Sequence, residues 1–120
     1  MHLKVYKYSN CGTCRKALKF LTEHGIDFEV KPIRTCPPTK QELRAMLRVY
    51  SGDIRRLFNT SGQDYRALNL KDTLPALSED QAIDLLSKTG NLVKRPFVTF
   101  EGGGLVGFKE EEWRERLLKS

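Results

Sequence analysis

The spacing of hydrophobic and polar positions changes several times along this chain of 120 residues. Residues 2–8, with the run Leu3-Lys4-Val5-Tyr6-Lys7-Tyr8, alternate as a half-buried strand does. From residue 12 the period lengthens. Cys14, Ala17, Leu18 and Leu21 recur at helical spacing, and Gly25 is a natural stop, which predicts a helix over 12–24. Ile26-Asp27-Phe28-Glu29-Val30 alternates again as a second strand. Strand, helix and strand within about 30 residues is the size of a parallel βαβ unit.

The middle of the chain reads differently. Pro32, Pro37 and Pro38 punctuate a loop containing Cys36. Thr39 opens a helix with Glu42 completing a capping box, and Leu43, Met46 and Leu47 form its apolar stripe. Ser51-Gly52-Asp53 breaks that helix, Ile54 to Phe58 reads as a short helix, and Asn59-Thr60-Ser61-Gly62 as a turn. Ser78 and Gln81 form a second capping box ahead of Ala82, Leu85 and Leu86. Residues 35–90 therefore read as a mostly helical insert within one domain spanning 1–120, since no flexible linker flanks it. Strand signals return at Phe97-Val98-Thr99-Phe100, with a turn at Gly102-Gly103-Gly104 and a return strand at Leu105-Val106-Gly107. A last amphipathic helix carries Trp113 and Leu117. The predicted order is β-α-β, a helical insert, then β-β-α.

Composition narrows the classes. Hydrophobic residues are 39% and charged residues 30%, as in ordinary globular domains. Apolar runs all fall short of a membrane span, and the N-terminus lacks a signal peptide's apolar core, so a cytoplasmic protein with no membrane partner is expected. A net charge of +6 favours anionic partners: small oxyanions, glutathione, acidic protein surfaces or nucleic acid. Arg44, Arg48, Arg55 and Arg56 gather mid-chain, which a solvated face also explains. With no helix-turn-helix or zinc-finger pattern, direct nucleic-acid binding is not expected. Three cysteines are too few for a secreted disulfide scaffold.

The candidate chemistry is concentrated in Tyr8-Ser9-Asn10-Cys11-Gly12-Thr13-Cys14-Arg15-Lys16. A Cys-x-x-Cys between a predicted strand and a predicted helix reads as a thioredoxin-like redox site. Cys11 falls where the N-cap belongs, and unpaired N–H groups and the helix dipole there favour a thiolate. Cys14 lies one turn on, within reach of Cys11, and Arg15 and Lys16 add positive charge. Cys11 is thus the candidate attacking thiolate and Cys14 the resolving thiol. A reversible Cys11–Cys14 disulfide used as a sensor is the other outcome. Inert packing thiols are the bland reading. Zinc needs four ligands, and Cys36, His2 and His24 stand at no motif spacing from the pair, so no metal site is expected. Cys36 is either an idle loop thiol or a second resolving group.

These residues, with Asn59-Thr60-Ser61-Gly62, Tyr65-Arg66, Lys94-Arg95-Pro96 and Val106-Gly107-Phe108, resemble the thioredoxin-like arsenate reductase (ArsC) family, which includes Spx-type transcription regulators. The resemblance runs nearly end to end. It implies an α/β thioredoxin-like fold with a mixed sheet. It also implies a cis Arg95–Pro96 bond beside the cysteines, with Arg95 projecting toward Cys11. In arsenate reductases of this type one cysteine attacks arsenate, three arginines hold the oxyanion, and glutathione and glutaredoxin complete the reduction. Cys11 matches the nucleophile, Arg95 and Arg55 match two of the arginines, and Gly12, Thr13, Arg15 and Pro96 fall in the matching segments. Phe108 stands at the third arginine, Cys14 replaces a hydroxyl residue, and Lys7 stands where those reductases have a histidine. Losing one oxyanion clamp costs on the order of 2–4 kcal/mol of transition-state binding, which argues against efficient arsenate reduction.

The pair and Gly107-Phe108 look more like the Spx branch, where the cysteines are a thiol–disulfide switch. That branch binds the C-terminal domain of the RNA polymerase α subunit through an arginine and a glycine, which Arg48 and Gly52 resemble once one residue is deleted between them. The leading expectation is a monomeric thiol–disulfide oxidoreductase acting on a small oxyanion or thiol. It would carry no bound cofactor and would be reduced by glutathione, glutaredoxin or thioredoxin. The alternative is a redox-sensing regulator bound to RNA polymerase.

Overall fold

The computed structural model describes residues 2–8 and 11–118; Ser9 and Asn10 of the cysteine motif lie outside the described residues. Strand β1 (His2–Lys7) is central, pairing parallel with β2 (Asp27–Pro32) and antiparallel with β3 (Phe97–Phe100). Strand β4 (Gly103–Val106) pairs antiparallel with β3, giving the order β2-β1-β3-β4. This is the expected mixed sheet of a thioredoxin-like fold.

The period-two alternation places the buried apolar residues of β1, β3 and β4 in one of two cores. Leu3, Val5, Val98 and Leu105 face helices α1 (Gly12–Glu23) and α6 (Glu110–Leu117), packing with Ala17, Phe20, Leu21 and Trp113. Tyr6, Phe97 and Val106 point the other way, into a larger core with the insert's Leu43, Met46, Leu57, Ile83 and Leu86. The sheet is therefore sandwiched between α1/α6 and the insert, with β1, β3 and β4 contributing to both cores and the edge strand β2 left largely exposed.

Helix α1 ends as predicted at a glycine. Gly25 has φ +65°, its N–H bonds to the Thr22 carbonyl, and Ile26 N–H reaches Leu21 O at 3.0 Å, closing a Schellman motif. In the insert, α2 (Lys40–Val49) and α5 (Glu79–Lys88) both start with the predicted capping boxes. Between them lie a 3₁₀ turn at Ile54–Leu57 and two short helices that the apolar pattern did not mark, α3 (Gln63–Ala67) and α4 (Leu70–Thr73). Each is too short for its own periodicity; they exist because Tyr65 and Leu70 insert into the insert-side core.

Two boundaries differ from the expectation. The hairpin turns at Glu101–Gly102, so Gly103 and Gly104 belong to β4 and Gly107 lies beyond it. Gly104 is a packing glycine, since a Cβ there would meet Met46 Cε at 2.6 Å and Val98 O at 3.1 Å. The second strand runs on to Pro32, because Lys31 and Pro32 continue the ladder opposite Tyr6 and Lys7. A proline is tolerated there because β2 is an edge strand.

Candidate active site at the start of helix α1

The end of β1 delivers the chain to the N-terminus of α1. The Cys11 N–H bonds to Tyr8 O at 3.2 Å, and Cys11 is the helix N-cap with extended backbone, φ −101° and ψ 110°. A capping position is normally filled by an oxygen that accepts an N–H of the first turn. Here the acceptor is sulfur: the Cys14 N–H donates to Cys11 Sγ at 3.2 Å. Cys11 Sγ thus occupies the position of a capping oxygen at the N-terminus of α1.

Cys14 lies under this cap and is 1% exposed, whereas Cys11 is partly exposed. Both are free thiols. Burial pushes the Cys14 thiol up to about 12 from its ordinary 9.0, and its hydrogen bond to Cys11 and the Cys11 charge push the same way. The Tyr8 backbone and the Arg95 guanidinium pull it down only in part. The two sulfurs are thus unequal, one capped and accessible, the other buried and protonated.

Arg95–Pro96 is cis, as the resemblance implied. Pro96 is buried, and its carbonyl accepts the Gly107 N–H at 2.9 Å, while Gly107 O accepts from Trp113 Nε1 at 3.1 Å. The loop carrying Arg95 is therefore tied to β4 and α6. The Arg95 guanidinium stacks on Tyr8, 4.8 Å from the ring centroid, next to the cysteine motif.

Arg95 also lines a cavity of about 460 Å³ together with Thr13, Arg55, Arg56, Lys94 and Lys109, with Asp53 the one carboxylate among the described lining residues. Arg55 and Thr13 thus meet Arg95 across one basic cavity. Cys11, Gly12 and Arg15 do not line it. Arg15 instead folds back over the first turn of α1, its Nη2 3.6 Å from where a Cβ on Gly12 would lie. Lys94 and Lys109 were not singled out from the sequence as site residues. Their signal was the place of Lys94 within Lys94-Arg95-Pro96 and of Lys109 directly after Val106-Gly107-Phe108. Arg56 is committed elsewhere, stacked on Tyr50 at 4.5 Å and paired with Glu112 at 4.0 Å.

Phe108 packs edge-on against Trp113 and Phe20 with centroids 5.0 and 5.8 Å apart. It contributes an apolar wall to the cavity. Cys36 is exposed in the turn after β2, at the same end of the sheet as Cys11 because β1 and β2 run parallel. Lys7 ends β1, its carbonyl accepting the Ile33 N–H at 2.9 Å. Among the described residues, no three His, Cys, Asp or Glu side chains converge as metal ligands, and no helix is long and apolar enough to cross a membrane.

Arg48 and Gly52 lie apart from the cysteines, at the C-terminus of α2. A second Schellman motif brings them together: Ser51 N–H bonds to Arg48 O and Gly52 N–H to Leu47 O. Ser51 and Gly52 both take positive φ, 59° and 84°. With Arg44 and Leu47 they line a separate surface cleft.

Comparison with known proteins agrees with this geometry. The ArsC family model matches residues 6–116. The chain is 46% identical over 115 residues to the uncharacterized protein YusI of Bacillus subtilis strain 168, covering 96% of this chain and 98% of that protein. It is 30% identical over 110 residues to the global transcriptional regulator Spx of Streptococcus pyogenes serotype M1, covering 92% of this chain and 81% of the regulator. A crystal structure described as a "possible arsenate reductase" from Streptococcus mutans UA159 superposes with a TM-score of 0.84 at 39% identity, covering 92% of this chain and 95% of that one. The match over nearly the whole chain, with the cysteine pair at the start of α1 and Arg95–Pro96 beside it, makes this chain a member of the ArsC family.

Proposed function

We propose that the chain is a thiol–disulfide oxidoreductase of the arsenate-reductase-like type. The observation that carries this reading is the Cys14 N–H to Cys11 Sγ hydrogen bond at 3.2 Å, which makes Cys11 a capped, accessible nucleophile above a buried partner thiol. The Cys11 thiolate attacks one sulfur of a disulfide, forming a mixed disulfide and expelling one thiolate. Cys14 then loses its proton and attacks Cys11 Sγ, closing the Cys11–Cys14 disulfide and expelling the second thiolate. Two electrons pass from the pair to the substrate, and an external dithiol or small thiol, of the glutaredoxin, thioredoxin or glutathione class, returns them by the same exchange.

The order of these steps follows from the causes acting on Cys14. Burial is the largest, and the hydrogen bond and charge of Cys11 come next. Once Cys11 is bonded to substrate, its charge is gone. Cys14 then ionises more readily, at the stage where it must attack. The basic cavity with Arg55, Lys94, Arg95 and Lys109 supports anionic substrates, while Phe108 in place of a third arginine argues against efficient arsenate reduction.

Oxidation of the reduced protein with a mild disulfide is expected to consume two of the three thiols and to give a Cys11–Cys14 bridge in the peptide map. Cys11→Ser is expected to abolish the reaction, and Cys14→Ser to trap a mixed disulfide on Cys11. Oxidation of Cys11→Ser at the wild-type rate would sink the proposal.

A second reading is a redox-sensing regulator that binds the C-terminal domain of the RNA polymerase α subunit. It is favoured by the shared cleft of Arg48 and Gly52 and by the Spx relatives. Titration of the purified subunit against both redox states tests it. The regulator reading expects binding that Arg48→Glu weakens at least tenfold, and an absence of binding in both states rules it out.

A further inference from the structure

Arg95 faces a second cleft, of about 380 Å³, that the oxyanion chemistry leaves unused. Tyr8, Arg34 and Arg66 line it, with the side-chain amides of Asn59 and Asn91. The Arg34 guanidinium sits 5.3 Å from the Tyr8 centroid, and its Nη1 donates to the Tyr8 hydroxyl at 3.4 Å. Arg95 stacks on the same ring at 4.8 Å. Tyr8 therefore holds two guanidiniums in place by cation–π contact. Arg66 is anchored by one bond, Nη1 to Ser61 O at 3.1 Å.

Among the described residues, Asp64 is the single carboxylate of the cleft. Among the described residues, none of the three arginines has an acidic partner within 4.0 Å. Three cations against one anion, with amide donors and acceptors between, suit a ligand that carries carboxylates and amide groups. Guanidinium forks bind carboxylates in pairs of hydrogen bonds, and stacking on Tyr8 has already restricted two of them. Cys11 does not itself line the cleft, but its N–H bonds to the carbonyl of the lining residue Tyr8 at 3.2 Å, which ties the nucleophile to the edge of the cleft.

We propose that this cleft is the carboxylate subsite for the disulfide that Cys11 attacks: a small disulfide bearing carboxylates and amides, held by Arg34 and Arg66 while its sulfur meets Cys11. The proposal rests on the thiol–disulfide reading of the cysteine pair. The sulfur chemistry is unchanged from that reading. One S–S bond of the substrate breaks, one forms between Cys11 and the substrate half, and the other half leaves as a thiolate.

The test uses the full chain and two disulfides, oxidised glutathione, which carries carboxylates, and bis(2-hydroxyethyl) disulfide, which is neutral. The quantity read is the ratio of their rate constants for oxidising Cys11. In the double variant Arg34→Ala/Arg66→Ala that ratio is expected to fall about tenfold or more, the scale of lost charge-assisted bonds. In the wild type it is expected to fall with added salt, and Arg34→Lys/Arg66→Lys should recover part of the loss. A ratio unchanged within about twofold in the alanine double variant overturns the subsite and leaves the thiol chemistry standing. Failure of Cys11 to react with either disulfide overturns the thiol reading itself, and the subsite with it.

Discussion

At the scale of single residues, the consequential asymmetry is between Cys11 and Cys14. The Cys14 thiol holds its proton to about pH 12 in the folded protein, whereas the exposed thiol of an unfolded chain releases it near 9.0. Between those values the native state binds more protons than the unfolded state, so stability falls as pH rises. The contribution is complete below about pH 9 and is lost toward pH 12. Urea midpoints for wild type and Cys14→Ala are therefore expected to converge as pH rises from about 8.5 to about 11; a constant gap would contradict this. Tyr50, also raised by burial, titrates in both proteins and drops out of the difference. Cys11, Cys14 and Arg95 were legible in the sequence because a strand–helix junction and an X-Pro step are local signals. The unequal roles of the two thiols were also legible, from their places at the helix start, but the burial that holds the proton on Cys14 was not, because local spacing does not record how deeply a side chain is covered.

At the scale of elements, Glu42 shows how a local signal acquires a distant role. The Thr39–Glu42 capping box is readable from four consecutive residues. The same carboxylate also accepts from Tyr6 Oη at 2.7 Å and Lys4 Nζ at 3.1 Å, bolting α2 to the central strand. Burial alone would raise its pKa, but the Thr39 N–H, Tyr6 and Lys4 together hold it below 4.5. A depressed carboxylate contributes stability above its unfolded pKa and loses it as pH falls through the folded value. Glu42→Ala is expected to cost about 2 kcal/mol at pH 7, from charge-assisted bonds lost. Glu42→Gln is expected to flatten the decline of stability below about pH 4.5. Both are read from chemical denaturation, with the single tryptophan, Trp113, as probe. A similar long-range device closes the sheet edge. Tyr50 Oη accepts the Val106 N–H at 3.1 Å and Arg116 donates to Gly104 O at 2.8 Å, so side chains cover groups that another strand could have paired.

At the scale of the whole molecule, the insert must dock on one face of the sheet for the basic cavity to exist. Arg55 and Arg56 come from the insert, Lys94 and Arg95 from the approach to β3, and Lys109 from the entry to α6. Gly90 is a joint in that docking: a Cβ there would overlap the Ile33 carbonyl and come within 3.1 Å of Arg34 Cα, both backbone. Neither backbone can yield without moving β2's exit loop or the end of α5. Gly90→Ala is expected to destabilise the protein by ~3 kcal/mol or more, beyond ordinary small-residue changes. A Gly90→Ala protein with an unchanged urea midpoint would show that the docking is looser than described.

The sequence alone determined the order of elements, the two capping boxes, the glycine stop after α1 and the placement of a thiol at a helix start. All of these depend on residues within a turn or two of one another, where spacing dictates geometry. It did not mark α3 and α4, whose few residues are helical only because the core receives Tyr65 and Leu70, or the shift of the glycine turn, which follows from Gly104 packing on Met46. Only the tertiary structure decided that Cys14 is the silent thiol, that Arg55 and Arg95 share a cavity, and that Arg34 and Arg95 stack on one tyrosine. Those are properties of burial and convergence. They depend on segments tens of residues apart, whose meeting no local pattern of polar and apolar positions records.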